Sequence, residues 1–262
     1  MSDLLIGHSG FVGSTLQRQR RFDVTVRSTD AERVHGGHFG LVIAAAAPAQ
    51  KWLANRDPEA DRRSIDTLLD TLRHLRCERL VLISTVDVFP DPADVDEMTA
   101  VSESGLHPYG LHRRLLEREV QAMFPRHLIV RLPGLVGPGL RKNVIYDLLN
   151  ENNLSTVDSR SVFQFYPMVN LWSDVSVALD NGLSLIHLTS APISVGEIAL
   201  QGFGRVFEQT AAAKPARYDL RSIHAELFGG RDHYQYSTRE TLLAIRAYAQ
   251  SEPPSATSAG KP

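Results

Sequence analysis

Leu4-Leu5-Ile6-Gly7-His8-Ser9-Gly10-Phe11-Val12-Gly13 is the stretch on which the fold turns. Three apolar residues make a short strand. Three glycines make a turn, and residues 11–20 make a helix followed by basic residues, which suit a helix C-terminus. Each glycine then has its own task. Gly7 permits a tight turn, Gly10 lets the backbone approach a pyrophosphate, and Gly13 lets the helix lie close on the sheet. Free N–H groups and the positive dipole end of the helix would meet the anion. The spacing is GxxGxxG, and no Gly-Lys-Ser/Thr follows, so this is not a nucleoside-triphosphate P-loop. Gly7, Ser9, Gly10, Phe11, Val12 and Gly13 are candidate dinucleotide contacts; the alternative is a plain structural turn.

The rest of the first half repeats the strand–helix rhythm. Residues 22–26 read as a second strand. Residues 39–46 (FGLVIAAA) form an unbroken apolar run, the mark of a strand buried on both faces. Asp57-Pro58 can open a helix in which Ile65, Leu68, Leu69, Leu72 and Leu75 make one apolar stripe. Residues 79–83 and 127–132 read as further strands, and residues 109–124 as an amphipathic helix. This alternation predicts an α/β protein with a doubly wound, Rossmann-type parallel sheet. Its character changes near Pro133. A small C-terminal α/β substrate-binding region is expected over residues 134–250, with elements returning to the sheet and Thr238 capping a last helix over 238–249. Residues 251–262, rich in Pro, Ser, Ala and Gly, read as a disordered tail.

Composition narrows the function. The net charge is −2 over 262 residues, which argues against bulk binding to nucleic acid or anionic membrane. Cys77 is the single cysteine, so neither an internal disulfide nor a Cys-rich zinc site can form. The start of the chain lacks the basic segment of a signal peptide, and a cytoplasmic location is expected. His35 and His38 stand three apart with no third ligand in view, so no metal is expected.

The second strand runs into Arg27 and Ser28, where an acidic residue would grip the ribose of NAD. Arg and Ser suit a 2′-phosphate, so NADP(H) is favoured and NAD(H) remains possible. The alternative for Arg27 is a solvated strand end. Ala44, Ala45 and Ala46 end the third strand with side chains small enough for a cofactor ribose to approach.

A second constellation follows. Residues 83–89 read Ile-Ser-Thr-Val-Asp-Val-Phe, and residues 108–113 read Pro-Tyr-Gly-Leu-His-Arg, which puts Tyr109 and Arg113 one turn apart on one helix face. Here the chain resembles the extended short-chain dehydrogenase/reductase superfamily. Those proteins carry GxxGxxG, a Ser-Thr-x-x-Val-Tyr/Phe strand end and Tyr-x-x-x-Lys on a helix. The phrase ISTVDVF is similar to the dTDP-4-dehydrorhamnose reductase and epimerase/dehydratase branches. Residues 131–139, 167–175 and 193–199 add weaker echoes, so that the resemblance spans about residues 3–200.

The resemblance implies an NAD(P)-dependent oxidoreductase or epimerase acting by hydride transfer on a nucleotide-activated sugar or related keto compound. Tyr109 takes the acid/base role and Thr85 the hydroxyl role, with Ser84 an adjacent candidate. Arg113 stands where the family has Lys. It keeps the charge but is planar and cannot shuttle protons. An alternative therefore stands beside the enzyme: an NADP(H)-binding sensor or scaffold with impaired catalysis. The 4,6-dehydratases carry an Asp-Glu pair after the Thr, whereas here Val86 and Asp87 leave one carboxylate. Asp87 is a candidate substrate contact or a loop-structuring residue. Arg141 and Asn143, with Lys142, could hold a diphosphate or be a solvated turn. Gln164 lies where the superfamily places substrate contacts, with core or interface packing as the alternative. A homodimer through the helices near residues 62–76 and 109–124 is also implied.

Overall fold

Short apolar runs flanked by glycine become parallel strands, and the stripes between them become the helices that cover the sheet. The structure, a computed structural model, describes residues 1–254. In chain order it forms β1 (Leu4–Ile6), α1 (Phe11–Gln19), β2 (Val24–Val26), β3 (His38–Ala44), α2 (Lys51–Arg56), α3 (Pro58–Arg73), β4 (Arg76–Thr85), α4 (Pro108–Met123) and β5 (His127–Leu132). Then come β6 (Gly134–Val136), α5 (Val144–Asn150), β7 (Val162–Phe163), β8 (Phe165–Pro167), α6 (Leu171–Asp180) and β9 (Leu185–His187). β10 (Ile193–Ser194), α7 (Val195–Glu197) and α8 (Thr238–Ser251) complete the order.

The chain divides into two compact units. The first takes residues 1–91, 97–132 and 170–187; the second takes residues 92–96, 133–169 and those from Leu188 onward. One boundary falls at Pro133, and α6 and β9 belong to the first unit. The first unit holds one six-stranded parallel sheet in the order β2-β1-β3-β4-β5-β9. Strand order reverses between β1 and β3, and in such sheets ligands bind beyond the carboxyl ends of the strands at that reversal. Right-handed crossovers place α1 on one face and α2–α4 on the other.

The stripe read from the sequence is the core. Ile65, Leu68, Leu69 and Leu72 of α3 are buried against Leu4, Val42, Leu80 and Leu82 of the sheet and Leu116 and Val120 of α4. Asp57 caps α3 by accepting from the Ala60 N–H. At the other end of the chain the cap is Ser237 rather than Thr238, in a reciprocal capping box with Glu240. Ser251 closes α8, and the Glu252 carboxylate accepts from the Gly139 N–H at 2.8 Å, so the first residues of the expected tail are ordered. Residues 255–262 of that tail lie outside the described residues. Cys77 is the second residue of β4, and burial pushes its thiol up to about 11.

A buried ionic knot fastens α4 to the sheet. Glu117 is fully buried; its carboxylate accepts from Arg131 of β5 at 2.9 and 2.7 Å, from the Ser84 hydroxyl at 2.7 Å and from Arg114 at 3.0 Å. Truncating one member of such a group strands the other charge, which costs about 3–5 kcal/mol. Glu117→Ala is therefore expected to lower unfolding free energy by about that amount in urea titration, with Arg131 left uncompensated.

Candidate active site

The glycine turn is built as three different solutions to one problem. Gly7 has φ +89°, its N–H donates to the Val26 carbonyl at 2.8 Å, and a Cβ on it would lie 2.5 Å from the Ala45 carbonyl oxygen. Gly13 is still tighter, since a Cβ there would lie 2.1 Å from the Gly7 oxygen. Gly10 is the exception. Its φ is an ordinary −74°, and the only atom a Cβ would meet is the Gly7 oxygen at 3.5 Å. Protein packing requires glycine at positions 7 and 13 but not at 10, where the room lies on the outside of the turn. Gly10 caps α1 with no side-chain bond, and no acidic residue stands in the first turn, so the leading N–H groups lack a side-chain cap. That is a ready cradle for an anion.

The turn sits at the strand-order reversal. Ala45 donates its N–H to the Ile6 carbonyl at 2.9 Å, so the end of β3 lies against the end of β1. Ala44 is buried, and Ala45 and Ala46 are half-buried beside Gly7. On the other flank β2 runs into Arg27 and Ser28, both exposed. Ser9 is exposed, and Phe11 and Val12 are half-buried. These residues together could hold a dinucleotide.

Two strands along, β4 ends at Thr85. Successive strand residues face opposite sides, and here that separates the two hydroxyl candidates. Ser84 turns to Glu117. Thr85 accepts from the Asp87 N–H at 3.2 Å and hydrogen-bonds the Tyr109 hydroxyl. Tyr109 is 8% exposed in the first turn of α4, and its N–H donates to the Asn55 side chain of α2 at 3.0 Å. Burial raises the phenol above its ordinary value. The charges of Arg113 and Lys51 and the Thr85 bond pull it back, and Asp87 adds to the rise.

Arg113 is buried within the protein. Its guanidinium donates to both oxygens of Asp61 on α3, to the Pro48 carbonyl and to the Tyr109 carbonyl. Its central carbon stands 3.9 Å from the centre of the Tyr109 ring. His112 joins the same carboxylate at 2.7 Å. Burial works to raise the Asp61 carboxyl, but the bonds from Arg113 and His112 hold it below its ordinary value. Of the three guanidinium nitrogens of Arg113, Nε is the one left without a partner.

The other predicted residues fall elsewhere. Asp87 is half-buried and pairs with Lys51 at 2.7 Å. In the second unit, Asn143 caps α5: its side-chain oxygen accepts from the Ile145 and Tyr146 N–H groups while its amide donates to Leu135. Gln164 is 1% exposed, and its amide bonds Thr189, Ser190 and Leu220 on both its donor and acceptor sides. Both side chains are thus engaged internally, Gln164 in the core packing that was its alternative reading and Asn143 as a helix cap. Arg141 is exposed on the loop after Gly139. Lys51, Asn55, Asp61 and His107 were not singled out in the sequence; the first three reach the site across long separations that local spacing does not encode, and His107 caps α4 just before Tyr109. The histidine reading also changes partners. His35 stacks on His74, and with Asp70 these exposed residues bring ligand atoms within 4.8 Å of one another, while nothing beyond proximity points to an ion.

Fold and turn together define a Rossmann-type α/β protein with a glycine turn at the sheet's reversal point. The chain belongs to the NAD-dependent epimerase/dehydratase family, whose model matches residues 19–160, more than half of its length. This places it among NAD(P)-dependent enzymes and agrees with the extended short-chain dehydrogenase/reductase resemblance. No curated protein matches the sequence. Among solved structures, it is similar to a dTDP-4-dehydrorhamnose reductase from Clostridium acetobutylicum, with 20% identity and a TM-score of 0.72 over 95% of this chain and 99% of that one. A dTDP-4-dehydrorhamnose reductase from Bacillus anthracis, in complex with NADP, gives 17% and 0.73 over 96% and 98%. A dTDP-glucose 4,6-dehydratase from Streptomyces venezuelae, with NAD bound, gives 17% and 0.73 over 96% and 98%. At these identities the likeness is one of fold. Among the described residues no helix is long and apolar enough to cross a membrane.

His107 supplies a pH test of this corner. It caps α4 by accepting the Gly110 N–H on Nδ1 at 3.0 Å, which only the neutral ring can do. Burial, with the charge of Lys51, lowers its folded-state value despite Asp87. A histidine depressed in the folded state binds more protons when unfolded, so stability falls as pH drops through the unfolded value of about 6.5. His107→Ser keeps a cap without titration. Thermal melts between pH 8 and pH 5 should show a smaller loss of stability in the variant than in the parent.

Proposed function

We propose that this protein is an NADP(H)-dependent reductase of a carbonyl on a nucleotide-activated sugar or related keto compound. The observation that carries the reading is the meeting of the Tyr109 and Thr85 hydroxyls at the carboxyl end of β4, on the sheet edge that also bears the glycine cradle. Gly7–Gly13 and the α1 N-terminus would hold the pyrophosphate, Ala44–Ala46 would lie beside the dinucleotide, and Arg27 and Ser28 would meet a 2′-phosphate. When bound, the nicotinamide supplies the hydride. Tyr109 gives its phenolic proton to the carbonyl oxygen, and Thr85 holds that oxygen by a hydrogen bond. Burial keeps the phenol protonated at neutral pH, which is the form a reduction needs. Arg113 acts through Tyr109 by fixing its ring. Arg141 is the remaining candidate for a substrate diphosphate. The lone Asp87 after Thr85 speaks against 4,6-dehydration.

One observation favours a second reading, a cofactor-binding sensor with impaired chemistry. The Arg113 fork is engaged by Asp61 and Pro48, so its terminal donors are already in use. Turnover separates the two readings. With NADPH and a panel of nucleotide-linked keto-sugars, Tyr109→Phe should reduce kcat by about 10²–10⁴-fold. The parent's rate should hold between pH 7 and 9, because the acid form is lost only above the raised phenol value. NADPH binding with no turnover on any panel member favours the sensor.

Cofactor assignment has its own test by calorimetry. Gly10→Val should fold normally, given the open space at its Cβ, yet lose dinucleotide binding. Arg27→Ala should weaken NADPH by about 10- to 100-fold, as expected for lost charge-assisted bonds, and leave NADH unchanged. Equal effects on both dinucleotides would remove the NADP(H) preference.

A further inference from the structure

The Tyr109 hydroxyl lies between two ion pairs of opposite character. Arg113–Asp61 is sealed, with side chains 2% and 3% exposed. Its cation faces the ring of Tyr109 and is the strongest charge lowering the phenol. Lys51–Asp87 is more open, with side chains 39% and 16% exposed.

Three contacts bring the second pair to the hydroxyl end. Lys51 and Asn55 stand one turn apart on α2 and so share a face. Asn55 fixes that face to the start of α4 by accepting the Tyr109 N–H at 3.0 Å. Asp87 accepts the Lys51 ammonium at 2.7 Å, while its own N–H donates to the Thr85 hydroxyl oxygen that Tyr109 also bonds. The Asp87 carbonyl lies so close to α4 that a Cβ on Gly110 would sit 2.1 Å from it. No other residue could bring the turn after β4 this near to the first turn of α4.

We infer that Lys51, tethered by Asp87, is a second positioning cation of Tyr109, tuning from the solvent side the potential that Arg113, held on Asp61, sets at the hydroxyl. The inference rests on Tyr109 as the acid/base group. Lys51 moves no proton itself; it stabilises the phenolate against burial, and Asp87 opposes it. The direction of each effect on the phenol agrees, Lys51 lowering and Asp87 raising its value. The remaining charged or titratable groups facing this hydroxyl are Arg113 of α4, Asp61 of α3 and His107 before α4. Of these, Arg113 and Asp61 are locked together.

The test reads the phenol directly. Full-length protein labelled with ¹³Cζ-tyrosine is titrated by NMR, with Tyr109→Phe identifying the resonance and thermal melts confirming folding. Lys51→Met should move the Tyr109 midpoint up by about half a unit or more, and Asp87→Asn should move it down. Lys51→Arg should restore the parent value. A Tyr109 midpoint that is the same in the parent, Lys51→Met and Asp87→Asn, or a phenol that titrates in none of them before unfolding, overturns the inference. Because no cofactor or substrate is present, failure here is distinct from failure of the reductase reading. If the midpoints move while Tyr109→Phe retains turnover, the reductase reading falls instead.

Discussion

The contact between Asp61 and Arg113 holds the upper edge of the sheet together. Two charges taken out of water are tolerable only when each satisfies the other and the remaining donors find oxygen. Here they do. The carboxylate takes the guanidinium fork and the His112 ring, and the fork's other donors reach the carbonyls of Pro48 and Tyr109. One side chain therefore ties α3, α4 and the segment after β3 at a single point. Tyr109 lies under that guanidinium, so the orientation of its ring follows from the ion pair.

A tie of this kind carries a consequence for chemistry. An arginine saturated by a buried carboxylate holds its neighbour in place, and its charge on Tyr109 is fixed by that tie. The same helix repeats the pattern lower down, where Glu117 gathers Arg131, Arg114 and Ser84 with no exposure to solvent. α4 is thus docked by two dry polar knots on its inner side. Adjustable electrostatics must come from outside it, and the Lys51–Asp87 pair is the one that reaches the Thr85–Tyr109 hydroxyls while keeping access to solvent.

The sequence exposed the sheet more readily than the site. β1, β3, β4 and β5 are apolar runs whose burial comes from the sheet itself, and the α3 stripe has a period that survives any context. The glycine turn was legible for the same local reason. What escaped was built from polar residues meeting across long separations. Asp61 and Arg113 are 52 residues apart, and Lys51 and Asp87 are 36 apart. In one dimension each looks like part of a solvated face. α2 has only six residues, too few to show a period. Asn143 shows the opposite difficulty, because a polar side chain in an irregular segment resembles a ligand contact when its partners here are backbone groups.

The three glycines show how structure sharpens a motif that sequence can only count. At positions 7 and 13 a side chain would strike the backbone, so stability alone explains the residue. At position 10 it would strike nothing closer than 3.5 Å. A glycine where neither conformation nor packing demands one leaves room on the outside of the turn, and the uncapped start of α1 gives that room N–H groups that could receive an anion. The same logic applies at the far end of the site. A buried tyrosine whose hydroxyl bonds a strand-end threonine needs neither partner for folding in the way Glu117 needs Arg131. Its raised phenol is a proton held ready at neutral pH, and a tethered lysine beside it sets how readily that proton leaves.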